Sequence, residues 1–553
     1  MSLRRVLSCI CPTLMFCFLS FVSAFAVDDA ADKAMQSIRP ESLRAEIRYL
    51  SDDLLEGRGT GTRGYDIAAK FMATQFEALG LKPGAANGSF LQTVPYRSMH
   101  ADALRSTVTL VRGGKEEKLE FVKDFLATPD PGRPSVSVEA PIVFVGFGVT
   151  APAQNYDDYK GIDARGKIVA LIFGAPNFSS SIKAHYSASE TKKKIAVEHG
   201  AIGIIVLNDL VLEKQYSFSM RVRDLAFPAI RWLDNQGHAN DYSQELKCGI
   251  SLSMDATRKF LAGAPHSADE IFEAAKAGKS FSFDVPITAR ITTGTNSTDI
   301  SGSNVAAVVE GSDPVLKNEY VVYSAHLDHL GVGQAVKGDK MYNGALDNAS
   351  GSATLLELAR AFSQMSPRPK RSVLFVAVSG EEEGLLGSDY FAHYPTVPKQ
   401  SMVANINVDE VLMLWPMQDV MAFGAEHSSL GDVIQKAADQ MHVTVSPDPM
   451  PEEVIFIRSD QYSFVKQGIP AVMPSPGFKS DNPAIKPMKI FGFWEETRYH
   501  QPQDDIDQPG LDFEAAAKFA RFAFLCGYLV TKDPQRPTWN KSDFFGDKYH
   551  GMN

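Results

Sequence analysis

The chain has 553 residues, 44% hydrophobic and 22% charged, with a formal charge of −11. Such a composition is ordinarily globular, and the length exceeds the ~250–300 residues at which single cores stop growing. An acidic chain without a basic stripe is not a nucleic-acid binder.

Taken in order, residues 1–26 read as an export signal: Arg4 and Arg5, an apolar run, then Ala24-Phe25-Ala26 as a cleavage site. The expected product is therefore exported, to the periplasm or outside the cell. No later run is long and apolar enough to span a membrane, so no stable insertion is expected after cleavage. Three of the five cysteines leave with the signal. Cys248 and Cys526 remain and read as buried apolar residues rather than a disulfide scaffold.

Leu43, Ile47, Leu50 and Leu54 share one helical face, and Ala68, Met72, Phe76 and Leu79 share another. The stretch 57–64, GRGTGTRG, lacks the GK[ST] of a phosphate loop and reads as a flexible connection between these helices. Residues 81–130 read as β-structure. From about 135 to 262 the texture changes. Strands are expected at 141–145, 167–173 and 201–207, without acidic residues at their ends. That segment reads as an inserted module. Strands resume at 304–310, 320–325, 373–378, 402–408 and 469–473, with helices at 431–441 and 513–530. The expected architecture is α/β: a mixed, mainly parallel central sheet flanked by helices, with a β-rich insert. The expected bounds are 27–134 for the N-terminal part of the main domain, 135–262 for the insert and 263–533 for the rest. The polar and aromatic stretch 534–553 is expected on the surface.

The chemistry gathers in residues 320–387. One buried strand stops at His326-Leu327-Asp328, a turn holding Asp347 opens the next helix, and the next strand stops at Gly380-Glu381-Glu382. Open α/β sheets bind ligands outside the carboxyl ends of their strands. These groups should therefore meet at one rim. So many carboxylates together take up protons or bind cations. A mixture of His and carboxylate suits zinc better than magnesium or calcium. Asp409 ends a further strand and His500 lies in the loop 497–507. His326, Asp347, Glu382, Asp409 and His500 suffice for two metal ions if one carboxylate bridges. Asp347 is the natural bridge, because it opens the helix between the two strands. Asp328, two residues beyond His326, suits the acceptor of that imidazole's second nitrogen. Glu381 and Glu382 diverge, so that one can bind metal while the other faces water as a general base.

These segments resemble peptidase family M28, the co-catalytic zinc aminopeptidases and carboxypeptidases. The matching stretches are AHLDHLG, NGALDNASG, SGEEEGLLGS, NINVD and YHQPQDD, in that order. LSDDLLEGRGTGTRG and FEALGLKP resemble the family's N-terminal helices. DDYKGIDARGKIVALIFGAP and AVEHGAIGIIVLND resemble a protease-associated (PA) domain. The resemblance implies the zinc exopeptidase fold, two zinc ions and a peptide substrate. It makes Glu381 the base and Glu382 a ligand, with His326 and Asp409 on opposite metals, Asp347 bridging and His500 completing the set. It also implies a cis peptide at Asp347–Asn348. Family members often carry His where Gln461 stands. Glu410, beside Asp409, is a candidate for a substrate's α-amino group, and Arg458 for a carboxylate. The activity expected is that of an aminopeptidase. A carboxypeptidase acting on acidic dipeptides and a catalytically silent binding protein are the alternatives. No G-x-S-x-G elbow supports a serine hydrolase.

Overall fold

A computed structural model describes residues 27–241 and 243–549. The expected signal and its cleavage site after Ala26 lie outside the described residues. Among those described, no helix is long and apolar enough to cross a membrane.

The main body is a mixed α/β sandwich. Its helices include α1 (Pro40–Leu50) and α2 (Arg63–Ala78), both with one buried apolar face. Its sheet contains β1 (Leu91–Ala101), β2 (Ser282–Val309), β3 (Tyr320–His326) and, beyond helix α3 (Ser350–Ser363), β4 (Ser372–Val378). Helix α4 (Leu386–His393) leads to β5 (Met402–Asn407) and β6 (Ala471–Pro476). Helices α5 (Pro487–Thr497) and α6 (Phe513–Lys532) follow. β3 lies parallel between β4 and β5, and β6 is parallel to β5. β2 runs antiparallel to β4, and β1 antiparallel to β2. All seven residues of β4 are buried, as befits a parallel strand covered on both faces. α1, α3 and α6 cover one face in a single core that contains Leu43, Leu355, Phe362 and Phe524. A smaller core with Phe391, Phe464 and Phe545 covers the other.

A second core is built from strands Thr107–Arg112, Phe125–Ala127, Ser135–Val145, Ile168–Leu171, Gly203–Val206 and Cys248–Leu252, together with the first half of β2. It reaches from Val108 to Ile291, beyond the expected 135–262 on both sides. The reason is pairing: Thr107–Val111 ladders onto Thr288–Thr292 of β2, and helix Ala268–Lys276 buries Ile271 and Phe272 there. Cys248 and Cys526 are buried free thiols, as the composition suggested.

Two further readings change. The 57–64 stretch is not a flexible connection. A Cβ on Gly57 would come within 2.5 Å of the carbonyl oxygens of Gly331 and Tyr342, so the backbone is packed against the antiparallel pair of strands Gly331–Val336 and Asp339–Tyr342. Arg58 beside it is wholly buried. The C-terminal stretch is not merely draped on the surface. Its helix Phe544–Tyr549 buries Phe545 and Tyr549 beside Phe456 and Tyr462.

Candidate metal centre

β3 delivers His326 at its carboxyl end. β4 runs into Gly380 and the three glutamates, and β5 runs into Asp409. Asp347 lies in the irregular turn Ala345–Ala349 before α3, and its bond to Asn348 is cis. All five sequence-selected donors converge. The His326 Nε2 lies 3.3 Å from Asp347 Oδ1 and 3.0 Å from Asp409 Oδ1. The His500 Nε2 lies 3.2 Å from Asp347 Oδ2 and 3.1 Å from Glu382 Oε2. Ligands at ~2.05 Å from one tetrahedral zinc are ~3.3 Å apart. The two triplets match that spacing, and Asp347 turns one oxygen to each. The donor atoms of His326, Asp347 and Glu382 all lie within 4.8 Å of one another. A buried and a part-buried imidazole with carboxylates at these separations fit a pair of divalent transition-metal ions.

The electrostatics point the same way. Burial alone would lower His326, but Asp409 and Glu381 hold its pKa well above the usual histidine range. Burial likewise works against the His500 cation, and Glu382 and Asp347 overturn it. Burial pushes Glu381 well above the ordinary carboxyl range, with Asp409 and Asp460 adding to the rise against His326. Burial and Asp347 raise Glu382, yet His500 and His329 bring it down to about 2. The cluster carries an excess of negative charge that protons or metal cations must balance.

Several supporting residues escaped the sequence reading. His329 Nδ1 is 2.6 Å from Glu382 Oε1. It sits three residues after His326 in AHLDHLG, and that spacing was the available signal. Asp504 is buried, accepts the backbone N–H of Leu346 at 3.0 Å and of Asp347 at 2.9 Å, and so fixes the Asp347 turn. The Ser459 hydroxyl donates to Asp409 Oδ2 at 2.5 Å. The Arg58 guanidinium donates to the carbonyls of Leu327 at 2.9 Å, Asn343 at 2.6 Å and Gly344 at 3.0 Å, tying the His326 and Asp347 loops together. Nothing in the local pattern marked it.

Asp328 differs from expectation. Its backbone carbonyl, not its carboxylate, lies 3.2 Å from His326 Nδ1. The carboxylate turns away to accept the N–H of Glu382 at 3.3 Å, which orients the glutamate loop. Gln461 is fully buried, donating to the Phe456 carbonyl at 2.8 Å and accepting from Asn407 at 3.0 Å, so it is a packing residue. Glu410 and Arg458 line the same cleft as the metal donors. Arg458 is partly held by Glu453 at 3.4 Å. The cleft continues into an apolar wall formed by Leu412, Met421, Phe423, Met473, Phe478 and Phe491.

Residues 304–525 match the family model of peptidase family M28. The chain carries an M28 peptidase domain. Over 114 residues, 20% of this chain and 14% of the relative, it is 33% identical to the mouse protein named aminopeptidase NAALADL1. Over 165 residues, 30% of each chain, it is 34% identical to a probable zinc metalloprotease of Pyricularia oryzae. These matches span less than a third of the relatives' own lengths. An aminopeptidase from Aneurinibacillus sp. strain AM-1 aligns over 92% of this chain and 97% of its own, with a TM-score of 0.53 at 20% identity. That likeness establishes a shared fold. The M28 match covers the convergent donors from His326 to His500 and takes in only the end of β2, residues 304–309, whose first half belongs to the second core.

Proposed function

We propose that this protein is an exported zinc exopeptidase that removes N-terminal residues from peptides, with the second core as its PA domain. The observation that supports this most is the pair of donor triplets sharing Asp347. His326 and Asp409 would hold one ion, Glu382 and His500 the other, with Asp347 common to both. The relatives named above are described as zinc metalloproteases and aminopeptidases, which favours zinc over other metals. Zinc there supplies Lewis acidity toward the attacking water and the scissile carbonyl.

The chain's own residues do the rest. Glu381 stands in the cleft beside the donors, and burial with Asp409 and Asp460 raises the proton affinity of its carboxylate. It suits a group that takes a proton from the attacking water and returns it to the leaving amine. Asp328 and Asp504 are positioning residues: one orients the glutamate loop, the other the Asp347 turn. Glu410 is a carboxylate in the cleft available to a free α-amino group. The apolar wall would take the adjoining side chain.

Arg458 in the same cleft keeps a second reading in view, since a guanidinium suits a free carboxylate. The test is hydrolysis of aminoacyl-nitroanilides and N-blocked acidic dipeptides, with chelator and then with zinc restored. Cleavage of the free-amine substrates, lost on chelation and regained with zinc, is expected. Cleavage of the blocked dipeptides alone would make the enzyme a carboxypeptidase. Failure on both, in protein holding two metals, would leave a binding protein.

A further inference from the structure

A second concave site lies apart from the metal donors, in the crevice between the main sheet and the second core. Met99 of β1 and Ala229 of the strand beside it form one side, while Ile204 and Gly249 of the second sheet form the other. Three cations line it: Lys193, Arg231 and Lys247.

Two of these cations are costly as they stand. Lys193 and Arg231 are both partly buried. Burial, and then the like charge of Arg231, hold Lys193 below the ordinary ammonium range. Burial lowers Arg231 as well. Among the described residues neither forms an ion pair, and Arg231 donates only to the carbonyl of Ile230, at 2.6 Å. Two carboxylates, Asp130 and Asp241, line the same crevice, but among the described residues neither forms an ion pair with Lys193 or Arg231. Asp130 pairs with Arg133 at 2.6 Å. Asp241 accepts the amide and hydroxyl of Ser243 at 2.9 and 2.7 Å. Glu190 lies 3.5 Å from Lys466. Asp241 and Glu190 act on the pair only from a distance.

Two unpaired like charges held in one concavity are relieved by an anion. A guanidinium beside an ammonium suits a planar or tetrahedral oxyanion, the first gripping two oxygens and the second acting as a point charge. We propose that this crevice binds a small oxyanion, a carboxylate or a phosphate, between Lys193 and Arg231. Because Lys193 belongs to the second core and Arg231 to the main sheet, the bound anion ties one to the other.

Thermal unfolding of the full chain tests this, with phosphate or glutarate titrated against chloride at matched ionic strength. Saturating oxyanion should raise the Tm by about 2–4 °C or more, and the stronger of the two anions identifies the source. Lys193→Met should abolish that rise. Without added oxyanion, the same variant should melt above the parent, because the repulsion is gone. Equal shifts with chloride, or a rise that persists in both Lys193→Met and Arg231→Met, would place the anion elsewhere and overturn the proposal. So would a Lys193→Met variant that melts lower without oxyanion, since its charge would then be satisfied within the protein.

Discussion

Glu381 and Glu382 are adjacent in sequence but stand in opposite environments. Glu382 is held down to about 2 by the imidazoles it meets, and Glu381 is pushed up by burial and neighbouring carboxylates. One environment suits a metal donor and the other a proton carrier. Glu381→Gln should therefore keep its full metal content and lose turnover by about 10²-fold to 10⁴-fold, the usual contribution of a general base. Metal analysis and kcat on the same preparation check this. A near-normal rate would remove Glu381 from the chemistry. Four of the five donors were legible because each occupies a strand end or a helix start, and His500, inside a loop, through the stretch YHQPQDD. His329 and Asp504 were not, since their contribution depends on which backbone and side-chain groups the loops bring near them.

At the scale of the element, the parallel strands set the rim, and buried polar groups hold the loops above it. Arg58 joins the carbonyls of Leu327, Asn343 and Gly344 from the end of the segment Asp53–Arg58. Its burial brings the guanidinium down to about 10 against the pull of Asp328, Asp347, Asp504 and Glu382. A lysine cannot span the same fork of acceptors. Arg58→Lys should cost about 3–5 kcal/mol in denaturant unfolding and weaken metal retention. Unchanged stability would show that water satisfies those carbonyls. Helix α1 gives a second case. Glu46 shares the guanidinium of Arg360 with Glu357 on α3. Burial first, and then Glu357, raise Glu46 to about 8. An unfolded glutamate titrates near ~4.3, so the folded state holds this proton more tightly. The corresponding stability is complete below about pH 4 and is lost as pH rises to about 8. Glu46→Gln should remove that slope and be more stable than the parent at pH 9, by up to about 5 kcal/mol. Urea unfolding at pH 5, 7 and 9 measures it, and parallel profiles for parent and variant would refute it.

Over the whole molecule, the sequence located the main sheet well and the insert's bounds poorly. Strands such as β4 are continuous apolar runs and stand out in the sequence. The insert's edges are hidden because β2 is one strand of 28 residues serving two cores. Its first half pairs with Ser135–Val145 and Thr107–Arg112, and its second half with β1 and β4. No turn marks the crossing from one core to the other. This makes the outcome of excision depend on where the chain is cut. Removing 135–262 would strand Val108, Leu110, Phe125, Ile287 and Ile291, all of them buried in the second core, without the sheet that covers them. That deletion should aggregate, because a contiguous apolar patch of this kind is not tolerated in water. Removing 102–294 instead cuts at Ala101 and Thr295, which are paired across β1 and β2. An Asn-Gly turn can close that hairpin in register. The cost is the loss of strand Ala229–Trp232, which pairs with β1 and whose Trp232 donates to Asp389 on α4 at 2.9 Å. β1 then becomes an edge, a known liability for association. The shorter protein should remain soluble and bind metal, with a Tm below that of the parent. Size-exclusion chromatography, circular dichroism melts and metal analysis on both deletions decide the matter. A folded 135–262 deletion would mean that the strands left on either side do not need the removed sheet to cover them.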